Sequence, residues 1–94
     1  MFVSSQNLKM SWQVIIDNFA RKQTRKFPKN DSFRIAKILE ELISNPYAGD
    51  VSKMEGRDDV WRRRTGSYRI FYEVDTVRKI IYVFDIKRRT SKTY

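Results

Sequence analysis

The chain has 94 residues, enough for one domain, and carries twenty Lys/Arg against eleven Asp/Glu, a formal charge of +9. Cysteine and histidine are both absent, which removes disulfides, thiolate nucleophiles, zinc sites built on His or Cys, and histidine-based acid–base pairs. No apolar run approaches the roughly 18 residues that span a bilayer, and residues 1–10 are too polar and short for a secretory h-region, so the expectation is a cytoplasmic protein without membrane attachment.

In chain order, residues 1–10 read as a disordered leader, with Met10 an alternative start to Met1, and residues 11–94 as a single domain. Trp12-Gln-Val-Ile-Ile16 is a short apolar segment suited to a buried strand. Asp17 or Asn18 is placed to cap a helix running to about Lys26. Pro28 breaks the chain, and Asn30 or Asp31 offers the next cap. Ile35, Ile38, Leu39, Leu42 and Ile43 then form one helical stripe, which ends before Pro46. A helical hairpin follows from two helices joined by so short a break.

From about Lys53 the period becomes strand-like. Residues 61–65 and 68–74 flank Gly66-Ser67, and residues 80–86 form a nearly continuous apolar run, which predicts a central strand covered on both faces. The predicted fold is α+β: an N-terminal strand, an antiparallel helical hairpin, then a three-strand antiparallel meander, with the helices on one face of a small sheet.

Charge concentrates late. Residues 62–94 hold ten Lys/Arg and three Asp/Glu. Such clustering, with a sequence pI near 10.1, favours a polyanionic partner; nucleic acid, acidic proteins and anionic membranes are the classes it admits. Gly at the first central position of a two-residue hairpin loop predicts a type II′ turn, which sets the register. Thr65 then faces Tyr68, Arg64 faces Arg69, and Arg62 faces Phe71, so Arg62, Arg64, Arg69 and Phe71 share one face. The opposite face, with Trp61, Tyr68, Ile70 and Tyr72, is the more apolar and should pack on the helices. Arg63 falls on that second parity and reads as a snorkelling or rim residue.

Like charges facing each other weaken a sheet by about 0.2–1 kcal/mol, and Glu73 is the only acid nearby on that face. A planar guanidinium fork matches phosphate oxygens, and Phe71 offers a base a flat surface. Single arginines here read as solvating residues; the set around one turn reads as a phosphate-binding plate. Lys87, Arg88 and Arg89 follow the last strand, which would carry them toward the plate. On spacing alone Tyr94 is an ordinary frayed terminus.

The stretch K-M-E-G, then W-R-R-R-T-G-S-Y-R-I-F-Y-E-V, then I-Y-V-F-D-I-K-R-R-T-S-K-T-Y resembles the RelE/ParE superfamily of bacterial toxin–antitoxin toxins, over about residues 12–94. The resemblance implies a type closer to RelE, whose members cleave mRNA in the ribosomal A site without metal or other cofactor. It implies catalytic roles for Arg62, Arg64, Arg69, Arg88 and Tyr94; the surrounding basic and aromatic residues Lys53, Phe71, Lys87, Arg89 and Lys92 are then expected to contact RNA. It also implies an antitoxin partner and a part in stress and translation control; the basic plate predicts that the antitoxin's binding segment is acidic, or apolar enough to occupy the helices or displace the tail. Arginine stands at the first two basic positions, where lysine is frequent in active members; arginine stabilises charge well and is a poor general base. A gyrase-directed toxin of the ParE type and a non-catalytic nucleic-acid-binding protein are the alternatives.

Overall fold

The computed structural model describes residues 12–89, so the 1–10 leader, Lys92 and Tyr94 lie outside the described residues. In chain order the elements are β1 (Gln13–Ile16), α1 (Asn18–Thr24), α2 (Lys29–Ser44), β2 (Val51–Lys53), β3 (Val60–Thr65), β4 (Tyr68–Asp75) and β5 (Ile80–Arg88). The strands form one sheet in the order β1-β5-β4-β3-β2. Only β1 runs parallel to its neighbour, β5; the other pairings are antiparallel. The fold is α+β, as the period changes predict.

Local chemistry explains most boundaries. Asp17 caps α1 by accepting from the Phe19 N–H at 3.1 Å. α2 begins at Lys29 with Pro28 at its N-cap, earlier than the cap expected at Asn30 or Asp31. Asp31 instead accepts at Oδ2 from the Tyr68 hydroxyl at 2.6 Å, tying the first turn of α2 to the hairpin. α2 ends at Ser44, and Asn45 is extended, as the following proline demands.

Ile35, Ile38 and Leu42 from α2 and Ala20 from α1 pack on Tyr68, Ile70, Tyr72, Val74, Ile81, Val83 and Ile86 from the sheet. All these strand residues point to one face, so the helices cover that face only. The apolar run of β5 is therefore not covered on both sides; Tyr82 and Phe84, on its other face, are half-buried. β1 is an edge strand with Ile15 exposed, not a buried one. β2 has no counterpart in the expected meander, because three residues are too short to show a period. Among the described residues no helix is long and apolar enough to cross a membrane.

Candidate functional site

Gly66 has φ +60, while Ser67 keeps a negative φ. That is the type II′ geometry the sequence predicts, and it gives the predicted register: Arg62 pairs with Phe71, Arg64 with Arg69, and Thr65 with Tyr68. Arg62, Arg64, Arg69 and Phe71 accordingly occupy the sheet face away from the helices. Their convergence is felt electrostatically. Arg69 is held below the ordinary arginine value, first by partial desolvation, then by the charges of Arg89, Arg64 and Arg62, with Asp50 opposing.

β5 adds a third row through an irregularity. Phe71 pairs with Asp85 but Tyr72 pairs with Val83, so Phe84 is an extra residue on β5. Such a bulge resets the two-residue phase of a strand. Ile81 and Val83 point into the core before it, and Ile86 does so after it. Lys87, opposite Arg69, therefore joins the plate, with Nζ 5.6 Å from the Phe71 ring centre. Arg89 reaches it too, its N–H donating to the Ser67 carbonyl at 2.6 Å beside the turn. Arg88 takes the opposite parity. It pairs with Tyr68, and its guanidinium carbon lies 5.8 Å from that ring, at the helix-side border of the sheet. The last strand thus delivers Lys87 and Arg89 to the plate and Arg88 to its other side. Lys53 also stays off the plate. It pairs with Trp61, with Nζ 5.9 Å from the indole and 3.9 Å from Asp58.

The partners of these cations differ from the expected ones. Glu73 pairs with Arg57, at 3.5 Å, and neutralises no plate arginine. Asp50, on the loop before β2, holds Arg64 Nε at 3.1 Å. Its own carbonyl accepts from the Arg64 N–H at 2.9 Å. Arg62 donates from Nη2 to the Ser52 hydroxyl at 3.1 Å, while its Nε is buried without a partner among the described residues. Among the described residues, neither Arg62 nor Arg69 has a carboxylate within ion-pair distance.

Arg63 is neither a rim nor a snorkelling residue: it is 8% exposed. Its guanidinium donates to the Ala48 carbonyl at 2.9 Å and to Glu41 at 3.2 Å. The loop lies directly on it, since a Cβ built on Gly49 would strike the guanidinium. Gly49 also has φ +82, so glycine is needed there for conformation and for space. Arg63 thereby fixes the loop that carries Asp50 to Arg64.

Tyr68, Tyr72 and Tyr82 are poor bases. Burial, then the Asp31 hydrogen bond, raise Tyr68 above its ordinary value, and burial raises Tyr72 much further. Tyr82 is raised by its 2.8 Å hydrogen bond to Asp17. All three stay protonated at neutral pH and hold structure. Sequence reasoning missed Asp50, Ser52 and Asp85 beside the plate. The break of period between Val83 and Ile86 was the available signal for Asp85; nothing local marked Asp50 or Ser52.

Residues 9–92 match the family model described as the ParE toxin of the type II toxin–antitoxin system parDE. A Methanocaldococcus jannaschii relative named as toxin RelE1 is 29% identical over 83 residues, covering 85% of this chain and 92% of that one. The archaeal RelE–RelB complex from Pyrococcus horikoshii contains a chain of similar fold, with TM-score 0.78 and 30% identity, covering 88% of this chain and 100% of that one. The isolated Escherichia coli RelE toxin shares the fold at TM-score 0.76 and 20% identity, with 87% and 88% covered. The chain therefore belongs to the ParE toxin family of type II toxin–antitoxin systems, as a RelE/ParE-superfamily toxin closer to the RelE type.

Proposed function

We propose that this toxin is a ribosome-dependent endoribonuclease that cleaves mRNA without a metal ion. One observation carries the reading: Arg62, Arg64 and Arg69 converge on an open sheet face, and Arg62 and Arg69 lack carboxylate partners among the described residues. Such a plate costs folding stability in the free protein and is suited to a phosphate that arrives later.

The 2′-oxygen attacks the adjacent phosphorus, the bond to the 5′-oxygen breaks, and the products are a 2′,3′-cyclic phosphate and a 5′-hydroxyl end. Arg62, Arg64 and Arg69 stabilise charge on the phosphorane oxygens. Arg64 exchanges Asp50 for phosphate as RNA enters. Arg88 lies on the other side of the sheet, by Tyr68, and assists the leaving oxygen once the end of β5 turns it toward the plate. Tyr94 serves as base or as a stacking surface. Arginines make poor bases, so much of the acceleration comes from a ribosome that pre-aligns the message. A ribosomal target puts this work in the cytoplasm. A cognate antitoxin is the partner, a reading supported by the relatives solved as RelE–RelB complexes, and its acidic segment neutralises the plate. The toxin acts in translation control under stress.

Purified toxin on programmed ribosomes, with a chelator present, should leave messages cut within codons and bearing 5′-hydroxyl ends. Intact messages together with lost gyrase supercoiling would instead favour a ParE-type target, which the name of the matching family model brings into play. Intact messages and intact supercoiling would leave a non-catalytic nucleic-acid-binding protein.

A further inference from the structure

Arg62, Phe71 and Asp85 form one row across three strands, all on the plate face. Adjacent strands lie about 4.8 Å apart, so Arg62 and Asp85 bracket the Phe71 ring from either side. The bulge brings Phe84 alongside, its ring centre 6.4 Å from that of Phe71. Two buried polar atoms flank this aromatic floor with no hydrogen-bond partner among the described residues: Arg62 Nε, a donor, and Asp85 Oδ1, an acceptor. Lys87 covers the floor, 5.6 Å above Phe71 and 3.8 Å from the other Asp85 oxygen.

Resting on the mRNA-cleaving function proposed above, we propose that Phe71 and Phe84 form a base-stacking subsite in which Asp85 and Arg62 read the edge of the base next to the scissile phosphate. Lys87 is its cover, displaced as the ammonium turns to a phosphate. Stacking alone tolerates every base. An orphan acceptor facing an orphan donor does not. Adenine, cytosine and guanine each carry an exocyclic amine that donates to a carboxylate, together with ring acceptors for a guanidinium. Uracil offers no exocyclic amine; its ring N–H is the one donor on that edge and sits between two carbonyl oxygens that the carboxylate repels. The subsite therefore discriminates against uracil, and Asp85 is the residue that sets the discrimination. A bulge that re-aims side chains beside a site accounts for why β5 breaks its phase at this point.

The test uses full-length toxin on programmed ribosomes whose messages differ in one base at the cleaved position. Wild type should cut A, C and G forms about tenfold better than the U form. Asp85→Asn both donates and accepts, and should bring the ratio close to one. Phe71→Leu should lower cleavage of all four forms by about tenfold through lost stacking, while keeping the wild-type ratio. Each ratio is internal to one variant, so partial unfolding does not move it. A wild-type enzyme indifferent to the base, or Asp85→Asn with the wild-type profile, would overturn the subsite and leave the nuclease standing. Wild type that cuts none of the four would overturn the nuclease and the subsite with it.

Discussion

The two faces of β3 put neighbouring arginines to opposite uses. Arg63 points toward the helices, is buried, and is held by Glu41 and the Ala48 carbonyl. Arg62 and Arg64 point away, beside Arg69, into a surface where like charges meet. Residue type does not separate these arginines; strand parity gives each its face, and the partners found there decide what it does. The buried Arg63 is held by acceptors that fix a loop, whereas among the described residues Arg62 and Arg69 have no carboxylate partner and Arg64 has an exposed one.

The sharpest way to break that contrast is to remove the two plate cations that have no carboxylate partner among the described residues. Arg62→Ala with Arg69→Ala should lower cleavage on programmed ribosomes by about 100- to 1,000-fold. The urea midpoint should hold or rise, because like-charge repulsion is relieved. A midpoint that falls sharply would make the plate structural.

Arg63→Ala should do the reverse, costing about 2 kcal/mol in urea unfolding, since it removes a buried guanidinium and the support of the 45–50 loop. Arg63→Lys should recover only part, because an ammonium cannot reach both acceptors with the same planar geometry.

Alkali probes the helix-side face further. Tyr72, whose hydroxyl donates to the Pro46 carbonyl, has its folded-state value raised well above the ordinary 10.0. Above pH 10 the unfolded chain therefore loses a proton that the native state keeps. Stability should be fully present below pH 10 and fall above it, by up to about 1.4 kcal/mol per pH unit from this group. Tyr72→Phe should flatten that slope and cost about 1 kcal/mol at neutral pH. Equal slopes for both proteins in urea titrations at pH 9 to 11 would contradict the assignment.

The smallest effect belongs to Asp50→Asn. Its pair with Arg64 is exposed on both sides, so stability should change by less than about 0.5 kcal/mol. Freeing Arg64 should tighten binding of a short single-stranded RNA by about two- to threefold at low salt. Fluorescence titration reads that directly, and weaker binding would assign Asp50 to the ligand's side of the contact.

How much was legible follows the range of the forces involved. The position of Gly66 fixed the hairpin register residue by residue, and the Ile35–Ile38–Leu42 stripe fixed the buried side of α2, because both signals are local. Asp50 and Glu41 reach Arg64 and Arg63 across 14 and 22 residues of chain. No periodicity reports such contacts, so Arg63 reads as a rim residue and Glu73 as the neutralising acid. The phase of β5 stands between these cases. An apolar run on both parities hides a bulge, and only Ile86 following Val83 in the core records it. That one residue decides that Lys87 and Arg89, and not Arg88, join the plate.

Arg69→Lys, assayed for cleavage on programmed ribosomes and for its urea midpoint in one preparation, tests the plate most directly. Charge is kept while the guanidinium fork is lost, so cleavage should fall at least about tenfold with the midpoint unmoved. Undiminished cleavage by that variant would contradict the assignment of phosphate recognition to this face.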